Sequence, residues 1–195
     1  MPLARSELPI DTASLARYLI GKVLVREFPE GVASGRIVET EAYVVGDAAG
    51  HAYRGLTPRN PSLFLERGHA YIYFIYGRSC MLNVSSEAPG IGAGVLIRAL
   101  EPLEGIPIMR LNRRIERLRD LARGPGRLAA ALRVDRSLDG LDLCRKGPLW
   151  LGRSDHEPGE IGQSTRIGIS QDANRLLRFY LRKSPFVSGP GSLNE

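Results

Sequence analysis

One extended segment decides the fold of this chain: Gly35-Arg36-Ile37-Val38-Glu39-Thr40-Glu41-Ala42-Tyr43. Its Val, Ile, Thr and Tyr content favours a β-strand. Successive side chains of a strand point to opposite faces, so Glu39, Glu41 and Tyr43 should share one face, with the two carboxylates about 6–7 Å apart. Carboxylates on an otherwise apolar, aromatic face are unfavourable unless they are paired or used. A carboxylate held beside an Arg stays ionised and can accept a proton from water, while its neighbour holds structure.

The flanking segments predict a mixed α+β domain. Asp11, an apolar stripe and Gly21 are typical of an N-cap, a short helix over 12–20 and a glycine stop. The patterns also predict helices over 107–123 and from about 125 to 132, and strands over 22–28, 35–45, 70–76, 94–100, 165–169 and 176–182. Strands and helices do not alternate as in a βαβ series. We therefore expect one domain over 1–195, with a mixed, mostly antiparallel sheet, surrounding helices and short flexible ends at about 1–8 and 188–195.

The composition indicates a globular protein with a polyanionic partner. The 195 residues are 43% hydrophobic and 25% charged, which makes intrinsic disorder a poor interpretation. The formal net charge is +6, and only Lys22, Lys146 and Lys183 are lysines among 27 basic residues. Arginine favours planar, bidentate phosphate contacts, although a GC-rich genome would produce the same preference. The positive charge makes a polyanion the first partner to test.

The sequence predicts a soluble, cytoplasmic protein that uses no metal and no cofactor. Residues 1–7 lack the apolar core of a signal peptide, and no apolar run approaches the length of a membrane span. Two cysteines, Cys80 and Cys144, are too few for a disulfide framework and are expected to be free thiols. The histidines, His51, His69 and His156, do not cluster in the sequence, so a zinc site is not expected.

Three other patterns resemble functional motifs but have simpler interpretations. The glycine-rich segment 90–94 precedes a strand, whereas a dinucleotide-binding loop requires a helix there, so a hairpin turn is expected. Some glycosylase-lyases use a terminal proline as nucleophile, but they have Glu after it, and Pro2 is followed by Leu3. The arginine face of the predicted 107–123 helix is expected to be solvated.

Tyrosines concentrate in the segment 71–77. Tyr71 and Tyr73 share one strand face, and Tyr76 follows at the strand's end beside a turn. Each tyrosine taken alone is most simply a core residue. Three within six residues, with His51 and Tyr53 in a polar loop earlier in the chain, begin to indicate a stacking platform for bases. On their own these residues favour nucleic-acid binding only weakly.

A series of short motifs runs along most of the chain. The stretches are LARYLIGKVLV (15–25), GRIVETEAY (35–43), TPRN (57–60), YIYFIYG (71–77), LNVSS (82–86), LIRALEP (96–102), GP (124–125), RIGI (166–169) and LRFYLR (177–182). In this order they resemble the mammalian-type alkyladenine DNA glycosylases, also called 3-methyladenine DNA glycosylases. The resemblance runs from about residue 15 to 187, and so many motifs in one order make it highly specific.

The resemblance implies a base-flipping N-glycosylase. Such an enzyme extrudes the damaged nucleotide from the duplex into a pocket before it hydrolyses the N-glycosidic bond. Glu41 matches the family's general base, which activates water for attack at the sugar C1′, and Arg98 matches the residue that helps hold that water. Glu39 is then structural. No amine nucleophile is evident, so a monofunctional enzyme that leaves an intact abasic site is expected.

The resemblance also assigns roles around the flipped base. Tyr43, His51 and Tyr73 match the family's pocket walls, where electron-poor alkylated purines stack on electron-rich rings. Asn83 matches the side chain that crowds the 2-amino group of normal guanine and so rejects it. Ile167 falls where the family supplies backbone contacts, commonly with Val.

Contacts with DNA follow from the same resemblance. Tyr76 matches an intercalating tyrosine at the tip of a protruding β-hairpin, and Thr57 and Arg59 are candidate contacts to the DNA backbone. The implied partner is double-stranded DNA with alkylated or deaminated purines, among them 3-methyladenine, 7-methylguanine, hypoxanthine and ethenoadenine. We expect a bacterial, nucleoid-associated monomer that does not bind membranes.

The chain departs from the mammalian pattern in three places. The segment 43–51 is about one residue shorter, and Ser79 stands where the mammalian members have an aromatic residue. Both differences would reshape the pocket rim and hence the range of substrates. We also expect a compact version of the protein, without the long polar amino-terminal extension of the mammalian members.

Two other functions compete with the glycosylase. A non-catalytic module could recognise distorted DNA through Tyr76 and arginines, but the presence of Glu41 and Arg98 argues against it. An RNA-modifying or nucleotide-metabolising enzyme would need a phosphate-binding loop or a metal site, and the sequence shows neither pattern.

Overall fold

The computed structural model describes residues 1–75, 77, 79–154 and 159–193. These residues form three α-helices: α1 (Thr12–Leu19), α2 (Ile106–Arg113) and α3 (Pro125–Ala131). They also form eight strands: β1 (Val23–Phe28), β2 (Gly31–Tyr43), β3 (Ala70–Ile75), β4 (Ser79–Ser85), β5 (Gly94–Glu104), β6 (Leu149–Gly152), β7 (Ile161–Ser164) and β8 (Arg178–Leu181). This content confirms the predicted α+β class.

A single antiparallel sheet contains these strands, and β2 is its central element. The strand order is β3-β4-β5-β2-β1-β6, with β8 beside β2 and β7 beside β8. Along one edge β2 pairs with β5, and along the other it pairs first with β1 and then, over 39–41, with β8. Residues 39–41 therefore lie between two hydrogen-bonded neighbours, and the predicted mostly antiparallel sheet is confirmed.

Helix α1 packs against the sheet face opposite the two carboxylates. The Thr40 hydroxyl donates a hydrogen bond to the Ala16 carbonyl at 2.8 Å, so Thr40 points toward α1. Its neighbours Glu39 and Glu41 point to the other face, as strand alternation predicts. The Asp11 side chain accepts a hydrogen bond from the Ser14 N–H at 2.7 Å and caps the helix as expected.

The hairpin of β3 and β4 forms the outer part of the sheet. Ile75 pairs with Ser79, and Phe74 near this end is 58% exposed, which agrees with a protruding hairpin. Near the amino terminus, Leu3 and Leu8 are buried in the core, although both lie before the first α-helix.

The predicted 107–123 helix is wrong in its length. Helix α2 ends at Arg113, because Arg114 adopts a left-handed conformation with φ of 53°. The apolar stripe continues past this point for another reason: Ala122 is buried beside β5, where its carbonyl accepts a hydrogen bond from the Leu100 N–H at 3.1 Å. The helix from Pro125 forms as predicted.

The strand predictions are mostly confirmed, with one error and two omissions. The segment 165–169 is a loop, and the strand paired with β8 is the preceding Ile161–Ser164. Strands β4 and β6 were not predicted as strands, because Ser, Cys and Asn interrupt the pattern in β4 and β6 has only four residues. Residues 90–93 lie in the connection between the antiparallel strands β4 and β5, and Gly94 begins β5, which confirms a turn there. In the described ranges, no helix is long and apolar enough to cross a membrane.

Candidate active site

A pocket of about 340 Å³ lies over the ends of β2, β3, β4 and β5. This volume falls within the range of about 300–1,000 Å³ that is usual for small-molecule sites. Six of the residues selected from the sequence line it: Tyr43, His51, Tyr73, Asn83, Arg98 and Ile167. The fold thus brings together side chains that are up to 124 positions apart in the chain.

Glu41 lies beneath this pocket, behind the lining residues Tyr43, Arg98 and Ile167 that contact it, and is fully buried (0% exposed). Its Oε1 accepts a hydrogen bond from the Ile167 backbone N–H at 2.7 Å and lies 3.2 Å from Arg98 Nη1. Its Oε2 accepts a hydrogen bond from the Tyr43 hydroxyl at 3.0 Å. A carboxylate offers about four acceptor positions. These three contacts therefore occupy three of the acceptor positions of Glu41.

Glu39 is equally buried but has different partners. Its Oε1 accepts hydrogen bonds from Nε of Arg98 at 2.9 Å and from Nε of Arg178 at 2.7 Å, and its Oε2 accepts from the Ser188 N–H at 2.8 Å. Burial raises the pKa of Glu39, but the charges of Arg98 and Arg178 and these hydrogen bonds outweigh it, so the pKa is lowered. Glu39 lies behind Arg98, which fits a structural role.

Arg98 connects the two carboxylates. Its Nε binds Glu39, its Nη1 faces Glu41, and its side chain is only 9% exposed. Burial lowers the pKa of Arg98, but the negative charges of Glu41 and Glu39 raise it by more, so the guanidinium stays charged. The shared arginine confirms that Glu39 and Glu41 lie on one face of β2. We call Glu39, Glu41, Arg98 and Arg178 the charged floor.

Three rings, His51, Tyr71 and Tyr73, form one side of the pocket, which we call the aromatic wall. The ring centroids of His51 and Tyr73 are 4.2 Å apart, and those of Tyr71 and Tyr73 are 5.6 Å apart. His51 Nδ1 lies 2.8 Å from the Tyr71 hydroxyl. Burial lowers the pKa of His51, which favours the neutral imidazole at neutral pH. Burial, and then the charge of Glu41, raise the pKa of Tyr73 to about 12. The wall is therefore uncharged and rich in π electrons.

Tyr43 contacts both Glu41 of the charged floor and Arg166 of the loop after β7. Burial and the neighbouring Glu41 raise the pKa of its hydroxyl, which therefore remains a donor. The Arg166 guanidinium lies over its ring at 4.7 Å from the centroid. Arg166 is fully buried, donates to the Ala42 carbonyl at 3.0 Å and forms an ion pair with Asp47, which is also fully buried. One arginine thus holds the end of β2, the loop after it and the loop that carries Ile167.

Asn83 lies on β4 between Tyr71 of β3 and Leu96 of β5. It is 5% exposed, and its Nδ2 donates a hydrogen bond to the Tyr71 carbonyl at 3.2 Å. This bond fixes the amide at the edge of the pocket, next to the aromatic wall.

The candidate DNA contacts lie outside the pocket. Arg59 is exposed, whereas the Thr57 hydroxyl donates to Asn60 Oδ1 at 2.9 Å. Asn60 in turn donates to the His51 carbonyl at 2.9 Å, so this loop supports the aromatic wall. Tyr76, selected as the intercalating residue, lies outside the described residues.

Sequence reasoning missed Arg178, although it lies within one of the matching stretches. Its side chain is fully buried on β8, between the apolar residues Leu177 and Phe179. That position was a usable signal, because a charged residue within an apolar strand is unfavourable unless it has a buried partner. The Arg166–Asp47 pair gave no such signal, since its members are 119 residues apart.

The described residues contain no group of three or more His, Cys, Asp or Glu side chains that could hold a metal ion. Cys80 and Cys144 are free thiols, as expected. Burial raises the pKa of Cys144 to about 11, so its thiol stays protonated at neutral pH.

Fold and site define a protein with an aromatic-walled pocket above a buried cluster of carboxylates and arginines. The model of the methylpurine-DNA glycosylase family matches residues 6–185. A protein of Mesorhizobium japonicum, provisionally named 3-methyladenine DNA glycosylase, is 79% identical over 194 residues, covering 100% of this chain and 93% of its own length. The human DNA-3-methyladenine glycosylase is 44% identical over 191 residues, covering 89% of this chain and 63% of its own.

These matches show that the chain belongs to the methylpurine-DNA glycosylase family, a class of enzymes that act on DNA. The resemblance seen in the sequence motifs is thereby confirmed.

Proposed function

We propose that this glycosylase excises alkylated purines, chiefly 3-methyladenine and 7-methylguanine, from duplex DNA by base flipping, with Glu41 as the general base. One observation carries the proposal: the Glu41 carboxylate is bound by three groups that line an aromatic pocket, in a chain of this family. An extruded base on the wall would place its glycosidic bond above this floor.

The proposed reaction is a hydrolysis that needs one base. Glu41 accepts a proton from water, the water oxygen bonds to C1′, and the C1′–N9 bond breaks with its electron pair going to the purine. A purine alkylated at N3 or N7 carries a positive charge, so it departs as a neutral base and needs no general acid. Hypoxanthine and ethenoadenine, which are neutral, are slower substrates in this proposal, since their departure needs added protonation.

Selectivity is proposed to come from the wall and from Asn83. A neutral imidazole at His51 does not repel a cationic purine, and π-rich faces attract it. Asn83 crowds the 2-amino group of normal guanine and so weakens its binding. For alkylated bases, the attraction between the positive charge and the aromatic wall outweighs such crowding. Ile167 contributes its backbone N–H, which already holds Glu41.

The remaining parts of the proposal concern DNA and products. Tyr76 fills the gap left by the flipped nucleotide, and Thr57 and Arg59 contact the backbone. The enzyme acts as a monomer on bacterial chromosomal DNA in the cytoplasm. No enzyme amine takes part, so the product is an intact abasic site.

The test compares Glu41→Gln with wild type in single-turnover release of 7-methylguanine and hypoxanthine from duplex DNA. We expect the Gln variant to lose about 10²- to 10⁴-fold in rate, the usual contribution of a general base. It should still bind the hypoxanthine-containing duplex, because the aromatic wall that receives the flipped base is intact. Glu116→Gln, at a side chain that is 88% exposed, serves as the matched control.

Two results would overturn the proposal. Full activity of Glu41→Gln would remove Glu41 from the role of base. Binding of damaged duplex by wild type without release of any alkylated or deaminated purine would instead favour the non-catalytic binder.

A further inference from the structure

Four buried charges form an alternating chain beneath the pocket. In order they are Arg178, Glu39, Arg98 and Glu41, with contacts of 2.7, 2.9 and 3.2 Å between successive members. The side chains are 0%, 0%, 9% and 0% exposed. The series begins with Arg178 behind the site and ends with Glu41, whose partners Arg98, Tyr43 and Ile167 line the pocket. Two positive and two negative charges leave it electrically neutral.

The two arginines share one acceptor atom. Nε of Arg178 and Nε of Arg98 both donate to Glu39 Oε1. Arg178 is held in place from behind by Ser164 Oγ at 2.8 Å and by the Ser188 carbonyl at 3.1 Å. Without Arg178, Arg98 would be the single cation shared by two buried carboxylates. Its attraction to Glu41 would then be divided, and the cluster would carry a net negative charge.

We propose that Arg178 is a positioning residue for the glycosylase reaction: by sharing Glu39 with Arg98, it balances the charge of the second buried carboxylate and so sets the pH range in which Glu41 can take a proton from water. This inference rests on the proposed role of Glu41 as the base. Arg178 itself acts on the reaction only through Glu39 and Arg98.

The other groups around Glu41 do not substitute for Arg178. Burial raises the pKa of both Tyr43 on β2 and Tyr73 on β3, so both remain neutral phenols. On the loop after β7, Arg166 is already paired with Asp47, and Ile167 contributes only its N–H. On β5, Arg98 is the cation that contacts Glu41.

The experiment measures single-turnover release of 7-methylguanine from duplex DNA as a function of pH, for a set of charge variants. Arg178→Met removes one positive charge, and we expect the acid limb of the profile to move up by about one pH unit, which lowers the rate on that limb about tenfold. Glu39→Gln removes one negative charge and should move the limb down. The double variant restores neutrality and should return the limb close to wild type.

Arg178→Lys separates charge from geometry. It keeps the positive charge but lacks the planar fork, so its acid limb should lie closer to wild type than that of Arg178→Met. Circular dichroism and thermal unfolding verify that each variant is folded under the assay conditions. If Arg178→Met does not fold, the double variant is compared with Glu39→Gln, and removal of Arg178 in that background should move the limb up by the same amount.

Several outcomes would overturn the inference. One is an acid limb of folded Arg178→Met that coincides with wild type. Another is a uniform loss of rate at every pH, which a merely structural role would give. A third is a double variant whose limb stays displaced. Failure of the proposed function is seen separately, because Glu41→Gln would then remain active whatever the Arg178 variants do.

Discussion

The charged floor lies beneath the pocket and reaches it through Arg98, whereas the aromatic wall forms one side of the pocket, and the geometry of the two regions is fixed by different forces. On the floor, each of the two carboxylates is bound by three donors at 3.2 Å or less. On the wall, the three rings are tilted against one another and one hydrogen bond joins His51 to Tyr71. Buried charges permit few arrangements, whereas stacked rings permit many. The floor should therefore control reaction rate and stability, and the wall the range of bases.

The largest effect should come from Glu39→Gln, a substitution in the charged floor that lowers the free energy of unfolding. The change leaves two buried guanidiniums without their shared anion, and breaking a buried ion pair costs about 3–5 kcal/mol of unfolding free energy. Denaturant unfolding at neutral pH measures the loss. A decrease no larger than that of the exposed Glu116→Gln would contradict the assignment of the floor as the rigid part.

The lowered pKa of Glu39 also predicts the direction in which this loss of unfolding free energy changes with pH. The folded-state pKa of Glu39 is lowered from its ordinary value of 4.5, so its stabilisation is fully present above that value and is lost as the pH falls through the folded-state pKa. The stability difference between wild type and Glu39→Gln should therefore narrow as the pH falls below 4.5. A difference that widens there would show that Glu39 is not held as an anion.

An intermediate effect should come from the wall, through Tyr73→Leu. Loss of one stacking ring should weaken binding of the flipped base by about 1–3 kcal/mol, or about 5- to 150-fold. The loss should be greater for a cationic alkylated purine than for neutral hypoxanthine, while unfolding free energy changes little. Tyr53→Leu is the matched control, because Tyr53 is 58% exposed in a loop. Equal losses for both bases would argue against π–cation selectivity.

The smallest effect should lie outside both regions, at Arg59. If its exposed guanidinium contacts a phosphate, Arg59→Ala should reduce the slope of log K against log salt by about 0.9. Binding of duplex with an abasic mimic at several salt concentrations gives the slope. Arg117→Ala, on a side chain that is 70% exposed beyond α2, should leave the slope unchanged. An unchanged slope for Arg59→Ala as well would return Arg59 to a structural role.

The parts of this molecule that depend on local patterns could be predicted from the sequence. Alternation along β2 placed Glu39 and Glu41 on one face, and their shared contact with Arg98 confirms it. The capping residue Asp11 and the helix that starts at Pro125 were also predictable, because caps and breakers act within one turn.

The parts that depend on distant contacts could not be predicted. The stripe after Arg113 looks helical because Leu121 and Ala122 are apolar, but both are buried outside any α-helix, and Ala122 is hydrogen-bonded to β5. Arg178 gains its role from a register in which it lies opposite Glu41 across β8 and β2. No local pattern of residues specifies that register.

The ion pair between Arg166 and Asp47 has a consequence for how this enzyme can diversify. It ties the loop after β2 to the loop before β8, and Asp172 of the second loop also accepts a hydrogen bond from the Ala48 N–H at 2.9 Å. Replacing one loop alone would leave Arg166 or Asp47 buried without its partner of opposite charge. Variants with altered substrate range, natural or engineered, should therefore exchange the two loops together, so that the pocket rim is inherited as one module.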